Sequence, residues 1–327
     1  MTMSMAIRVH AVGGPEVMQW EQVPDVRPGP GQIRIRHSFA GLNFIDVYHR
    51  TGVYKQELPF TPGQEAAGVV EAVGPDVTEL KAGDGVAYGT GPVGAYREER
   101  VMPADRLVKL PGGIDERTAA AMMLKGMTAQ YLLRQTIKIA AGDTILFHAA
   151  AGGVGLIACQ WAKHLGATVI GTAGSEEKAA LAKANGCDHV IIYTRESFVD
   201  RVKELTGGRG VRAVYDSVGR QTFSGSIECL APRGMMVLFG QSSGTVPPVE
   251  PSLLAKGSLY LTRPVLGAYT VTRAELVATA SDLFDVVGKG VVKIIVGRSF
   301  PLAAAAEAHR ALEARATTGS NVLEVDA

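Results

Sequence analysis

The sequence predicts an α/β protein in which a doubly wound parallel sheet is inserted into a β-rich domain. Three observations predict it. Up to about Leu110, short alternating runs are broken by turn clusters such as Gly13-Gly14-Pro15, Pro28-Gly29-Pro30-Gly31 and Lys81-Ala82-Gly83-Asp84-Gly85. From Asp143, short apolar strands alternate with amphipathic helices in units of roughly 25 residues, the pattern of repeated βαβ units. The 327-residue length also exceeds what one hydrophobic core usually serves, so two domains are expected.

In the front region, the run QIRIRHSFA places Ile33 and Ile35 on one face and Arg34 and Arg36 on the other, as a half-buried strand requires. A short helix is expected at Phe44 to Arg50, and AAAMMLKGMTAQYLL reads as a longer one. Six parallel strands follow, near 144–148, 168–171, 189–192, 212–215, 234–239 and 259–262, enough for a complete doubly wound sheet. After Pro264 come a helix through Leu276 and Leu283, a strand at 291–296, an alanine-rich helix at 302–314 and a strand at 321–325. These are too few for a third domain and are expected to return to the first. The domains are therefore 1–126 with 265–327, and 127–264.

Composition excludes several function classes. Thirty-three basic side chains nearly cancel 32 acidic ones, and a net charge of +1 offers no footprint for nucleic acid as a main partner. The first residues lack the charged and apolar regions of a secretory signal, and no run approaches about 18 apolar residues, so a cytoplasmic protein without membrane insertion is expected. Cys159, Cys187 and Cys229 are widely spaced and form no CxxC pair, which argues against disulfides and structural zinc.

The chemistry is carried first by TILFHAAAGGVGLIACQWAKHLGATVIGTAG. It runs from an apolar strand through small residues and glycines into a helix and out to a second strand. In that context a glycine turn is a dinucleotide signature. Ala149, Gly152, Gly153 and Gly155 lack bulk, so helix N-terminal N–H groups can meet a pyrophosphate, with alanine in place of the usual first glycine. NAD-binding versions end the second strand with a carboxylate for the ribose 2′-hydroxyl. Here that end reads Gly171-Thr172-Ala173-Gly174-Ser175, while Glu176 and Glu177 look like the first turn of the next helix. Lys178, one short turn on, suits a 2′-phosphate. NADPH is the expected cofactor.

The β-rich front and inserted nucleotide domain resemble the medium-chain dehydrogenase/reductase superfamily, whose front domain is GroES-like and whose alcohol dehydrogenases hold a catalytic zinc. In AGLNFIDVYHR and TPGQEAAGVVEAVG, Asn43 stands where the zinc members have a cysteine and Gln64 where they have a histidine; the structural-zinc lobe is missing too. No metal is expected. The segments GLNFIDVYHRTGVY, KGMTAQYLLR, FHAAAGGVGLIACQWAKHLGA, VYDSVG, FGQSSG, LTRP and ARATTGS further resemble the zinc-free, ζ-crystallin-like quinone oxidoreductase family along nearly the whole chain.

That resemblance implies NADPH-dependent reduction of quinones in a cleft between the domains, by a homodimer formed through the nucleotide domains. Lys178, Tyr193 and Arg315 would surround the 2′-phosphate, and Asn43 and Thr128 would lie near the nicotinamide and its ribose. Ser217, Phe239, Gly240 and Ser242 would line the crevice at the carboxyl ends of later strands, with Ala150, Val154, Gly171, Ser175 and Arg263 completing the cofactor set. Asn43, Tyr48 and Tyr54 are the candidate catalytic and substrate-pocket residues. Two other functions fit the same pattern: reduction of α,β-unsaturated carbonyls, and NADPH binding without turnover, as in a crystallin-like protein.

Overall fold

The computed structural model describes residues 3 to 325. They form two compact units. The first comprises the described residues up to Met127, Thr270–Gly288 and those from Ile294 onward; the second comprises Thr128–Tyr269 with Lys289–Lys293.

The first unit has a two-stranded antiparallel hairpin, Met3–Val9 with Met18–Pro24, and a larger sheet. The larger sheet runs in the order Val296–Pro301, Ser320–Glu324, Gln32–Leu42, Ala66–Val73, Gly85–Tyr88, Val108–Lys109, and Glu99–Pro103 also pairs with Gln32–Leu42. The strand period of two sends Ile33 and Ile35 into a core with Ile7, Val9, Tyr88, Met102 and Leu323, while Arg34 and Arg36 meet Glu71 on the other face. The short helix Phe44–Arg50 forms where expected. Its last residue, Arg50, is only 1% exposed and grips Glu313 of the helix Ala305–Glu313 with two hydrogen bonds, of 3.0 and 2.8 Å. A forked arginine–carboxylate pair satisfies a buried guanidinium far better than a point contact would.

The helix Glu116–Tyr131 crosses from the first unit into the second. Two glycines let it sit close within the first unit. A Cβ on Gly89 would lie 2.5 Å from the Leu124 nitrogen, and one on Gly126 would strike the Leu283 side chain of the helix Arg273–Gly288.

The second unit is a six-stranded parallel sheet in the order His189–Ile192, Thr168–Ala173, Thr144–Phe147, Val211–Asp216, Leu230–Leu238, Tyr260–Thr262. By rank in the sequence this is 3-2-1-4-5-6, the doubly wound order, in which open α/β sheets bind ligands beyond the carboxyl ends of the first and fourth strands. Leu146, Ile170, Ile191, Val214 and Met236 pack the apolar layer beneath its helices.

One expected element does not form. The strand expected at 291–296 instead begins at Val296, and Lys293 is captured by a helix of the second unit. The Gln160 side chain donates to the Lys293 carbonyl at 3.0 Å and accepts from its N–H at 2.9 Å, occupying both backbone groups that a strand partner would need. The alanine-rich helix starts with a 3-10 turn at Leu302–Ala304, and its α-helical part ends at Glu313.

Gly155 holds the first helix of the second unit against its own loop: a Cβ there would lie 2.5 Å from the Ala149 carbonyl oxygen and 2.7 Å from that of Ala150. Both obstacles are backbone and cannot rotate away. Gly155→Ala should therefore cost at least about 1–3 kcal/mol, read as a lower urea midpoint; an unchanged midpoint would show that the loop can give way.

Candidate active site

The glycine loop joins the strand Thr144–Phe147 to the helix Gly153–His164. Gly152 sits at the N-cap and supplies no capping side chain, leaving the first N–H groups, of Gly153, Val154 and Gly155, at an open helix end. Ala150 is buried and donates to the Thr172 carbonyl at 3.0 Å, which pins the loop to the neighbouring strand. Ala149 has φ +54°, a conformation in which its methyl is costly. Its role is thus a matter of backbone shape as well as small size.

A buried polar network holds the strand ends behind this loop. His148 has ring nitrogens 3.1 Å from Thr172 Oγ1 and 3.0 Å from Ser226 Oγ, and burial lowers its pKa. Ser226 donates to Asp216, which also accepts from Thr222 Oγ1 at 2.7 Å and from the N–H groups of Val218 and Gly219 at 2.7 and 2.9 Å. His148 therefore packs and hydrogen-bonds behind the loop, where burial disfavours its charged form.

Asp216 fixes the turn that carries Ser217. The Ser217 carbonyl accepts from the Ser242 N–H at 3.0 Å, and a Cβ on Gly240 would lie 2.7 Å from that same carbonyl oxygen. Ser217, Phe239, Gly240 and Ser242 are thus gathered at the carboxyl ends of the fourth and fifth strands. Arg263 donates to the Leu238 carbonyl at 3.1 Å beside them.

At the end of the second strand, Ser175 caps the helix Glu176–Ala184 by accepting from the Lys178 N–H. Glu176 and Glu177 occupy its first turn, and Glu176 pairs with Arg195. No carboxylate stands at the strand tip, Ala173. Tyr193 is 43% exposed, and its hydroxyl would lie 2.8 Å from a Cβ on Gly174, so the phenol lies over the backbone just before Ser175. Gly171 is enclosed by the Ala150 methyl and the Cys187 thiol, which accounts for its missing side chain by packing. Thr128 is buried on the helix Glu116–Tyr131. Arg315 belongs to the first unit, just past the helix ending at Glu313, at φ +56°.

A second cluster is built in the first unit around Glu65, which is fully buried. Its Oε1 accepts from the Leu124 N–H at 2.8 Å. Its Oε2 accepts from both Asn43 Nδ2 and Lys125 Nζ, each at 2.7 Å. Gly41 makes room: a Cβ there would lie 2.1 Å from Glu65 Oε2. Asn43 begins the helix Phe44–Arg50, and its N–H donates to Asp46 Oδ2 at 3.0 Å. Tyr48 and Tyr54 meet edge to face, with ring centroids 5.2 Å apart.

Asp46 accepts from Tyr96 at 2.9 Å, and the Tyr96 hydroxyl lies 3.2 Å from His309 Nε2. Burial pushes the Asp46 carboxyl up to about 7 even against these donors. Burial, with Arg50 beside it, lowers His309 to about 3.

Two models of known families match the chain: an alcohol dehydrogenase GroES-like domain over residues 29–112 and a zinc-binding dehydrogenase over residues 153–284. A quinone oxidoreductase of Pseudomonas aeruginosa is 52% identical, the match covering 98% of this chain and 99% of the relative. The chain belongs to the quinone oxidoreductase family. An Escherichia coli quinone oxidoreductase crystallised with NADPH superposes with a TM-score of 0.96 at 48% identity, covering 98% of this chain and 99% of that one. A 2-haloacrylate reductase of a Burkholderia species is 47% identical over 98% of this chain and 99% of its own length.

The family is part of the medium-chain dehydrogenase/reductase superfamily, and the donor set here does not suit the zinc that one matching model is named for. Two amides stand at Asn43 and Gln64, and the carboxylate beside them is already neutralised by Lys125. Among the described residues no group of three His, Cys, Asp or Glu side chains is placed to hold a metal. Sequence reasoning found Asn43 and Gln64 but missed Glu65 and Lys125. The signal was present: Lys125 is the sole charge after Arg117 in the helix through Tyr131, and a cation inside so apolar a run implies a buried partner.

Asp46 also gives a pH test. Its folded carboxyl binds a proton up to about pH 7, whereas in the unfolded chain it releases it near 3.8. Between those limits folding takes up a proton, so stability falls as pH rises and levels off above about 7. Asp46→Asn removes that slope. From pH 5 to pH 8 the variant should gain about 2 kcal/mol on the parent in urea unfolding, and a constant difference would rule out the raised carboxyl.

Proposed function

We infer that the chain is a zinc-independent, NADPH-dependent oxidoreductase that reduces quinones. The observation that carries this is full-length similarity to quinone oxidoreductases, including one crystallised with NADPH, together with a chain whose own groups suit that cofactor. The open helix start at Gly153–Gly155 suits the pyrophosphate. Lys178 and Tyr193, beside a strand tip without a carboxylate, suit the 2′-phosphate, and Arg315 is proposed as a further cation for it.

NADPH, when bound, supplies the hydride. The protein's part is to hold the acceptor and to meet the negative charge that reduction places on its oxygen. Asn43, whose amide N–H groups are taken by Glu65 and Gly41, is proposed as a rigid group that positions the reactants, and Tyr48 and Tyr54, packed edge to face, as part of the aromatic wall for the acceptor. Thr128, Ser217, Phe239, Gly240, Ser242 and Arg263 complete the proposed cofactor surroundings.

A second acceptor class, α,β-unsaturated carbonyls, is favoured by one observation: the 47% identity to a 2-haloacrylate reductase. Parallel assays with benzoquinone and an enone decide between them, and a preference of about tenfold or more for the enone reverses the assignment. Lys178→Ala should raise the KM for NADPH about tenfold while leaving that for NADH nearly unchanged, since only NADPH carries the extra phosphate; equal effects on both would remove Lys178 from the phosphate set.

We also propose a cytoplasmic homodimer. Among the described residues no strand pairs with the outer side of the edge strand Tyr260–Thr262, and Tyr260 and Val265 near it are 56% and 55% exposed. Such an edge is suited to continuing the sheet into a second copy. Light scattering at micromolar concentration should give the mass of two chains; the mass of one would refute the dimer.

A further inference from the structure

Lys125 is a buried cation with donors to spare. It is 5% exposed, and the structure gives its ammonium one acceptor, Glu65 Oε2 at 2.7 Å. An ammonium has three N–H groups. Two are therefore without a protein acceptor among the described residues, in a setting where an unused charged donor is costly.

As a device for stability the pair makes little sense. Taking both ions out of water costs about as much as their attraction returns, and apolar residues of similar volume usually serve as well or better. The surroundings have nevertheless been shaped to keep it: Gly41 clears space for the carboxylate, and Gly89 brings the lysine-bearing helix close. The same Glu65 oxygen also binds Asn43, the position at which the zinc members have a metal-ligating cysteine. An ion pair thus stands at that corner of the fold, and its ammonium keeps N–H donors that the carboxylate does not use.

We propose that Lys125 is a catalytic residue whose free N–H groups bind the acceptor's carbonyl oxygen as it gains negative charge, with Glu65 positioning the ammonium. This rests on the reductase function inferred above. Lys125 would stabilise charge without transferring a proton, as a Lewis-acid cation does at the same corner in zinc enzymes. The benefit depends on the acceptor. The anion from a quinone is delocalised over an aromatic ring and needs little help, whereas the enolate from an enone is more basic and needs more.

The test uses the full chain saturated with NADP⁺, and the double variant Glu65→Gln/Lys125→Met. The pair is replaced together because Lys125→Met alone would strand a buried carboxylate. The new amide has one oxygen for the two donors, Leu124 N–H and Asn43 Nδ2, that Glu65 accepted, so Glu65→Gln alone is measured beside it as the control for that loss. The first readout is the absorbance of 4-nitrophenol, a stand-in for the oxyanion. The parent should bind it as the phenolate and lower its pKa by about one unit, and the variant should not. The second readout is turnover with NADPH. The variant should lose about a hundredfold in kcat with an enone and about tenfold or less with benzoquinone, at unchanged KM for NADPH and similar melting temperature.

Equal nitrophenol ionisation in both proteins, or equal small losses with both acceptors, would overturn the role of Lys125. Should the parent reduce neither acceptor and still bind the phenolate, the reductase assignment fails while the oxyanion site stands.

Discussion

A carboxylate without access to water sets the terms for much of the first unit. Glu65 has no solvent to share its charge with, so every group around it must contribute, and each contribution fixes an element. Leu124 and Lys125 tie it to the helix that runs on into the nucleotide unit. Asn43 ties it to the start of the short helix, and Gly41 lets the long central strand pass against it. Removing any one of these would leave a buried ion short of a partner. Backbone, side chain and charge are coupled through two oxygen atoms.

The nucleotide unit uses a related device with a different purpose. Asp216 is equally buried, but its partners among the described residues are two backbone N–H groups and two hydroxyls, none of them a cation. Through Ser226 and His148 it reaches Thr172, so the ends of the first, second and fourth strands are held by one neutral-donor network. It shapes loops. The cluster at Glu65 instead sets an ammonium against the carboxylate, and the donors left on that ammonium are what the proposed role of Lys125 uses.

Local patterns in the sequence made much of this visible. The alternation in QIRIRHSFA, the glycine turn between strand and helix, and the rhythm of the βαβ units each report on residues within a few positions, and the corresponding elements formed as expected. What escaped depends on distant partners. The strand expected at 291–296 is displaced because Gln160, more than a hundred positions earlier, takes the backbone of Lys293. The Glu65–Lys125 pair spans 60 positions, and no short pattern joins them. Gly171 illustrates another limit: the methyl of Ala150 and the thiol of Cys187, which no short pattern links to it, also require a glycine there.

Ala149 has a consequence for recognition itself. Its backbone sits at φ +54°, where glycine would rest without strain and alanine does not. Glycine would also wander through many more conformations when no ligand is present. With alanine the folded protein carries a small local strain, and the loop has fewer shapes to choose from. A phosphate bound at this turn, as proposed, would meet a mould already set, and less of its binding energy would be lost to ordering the chain around it.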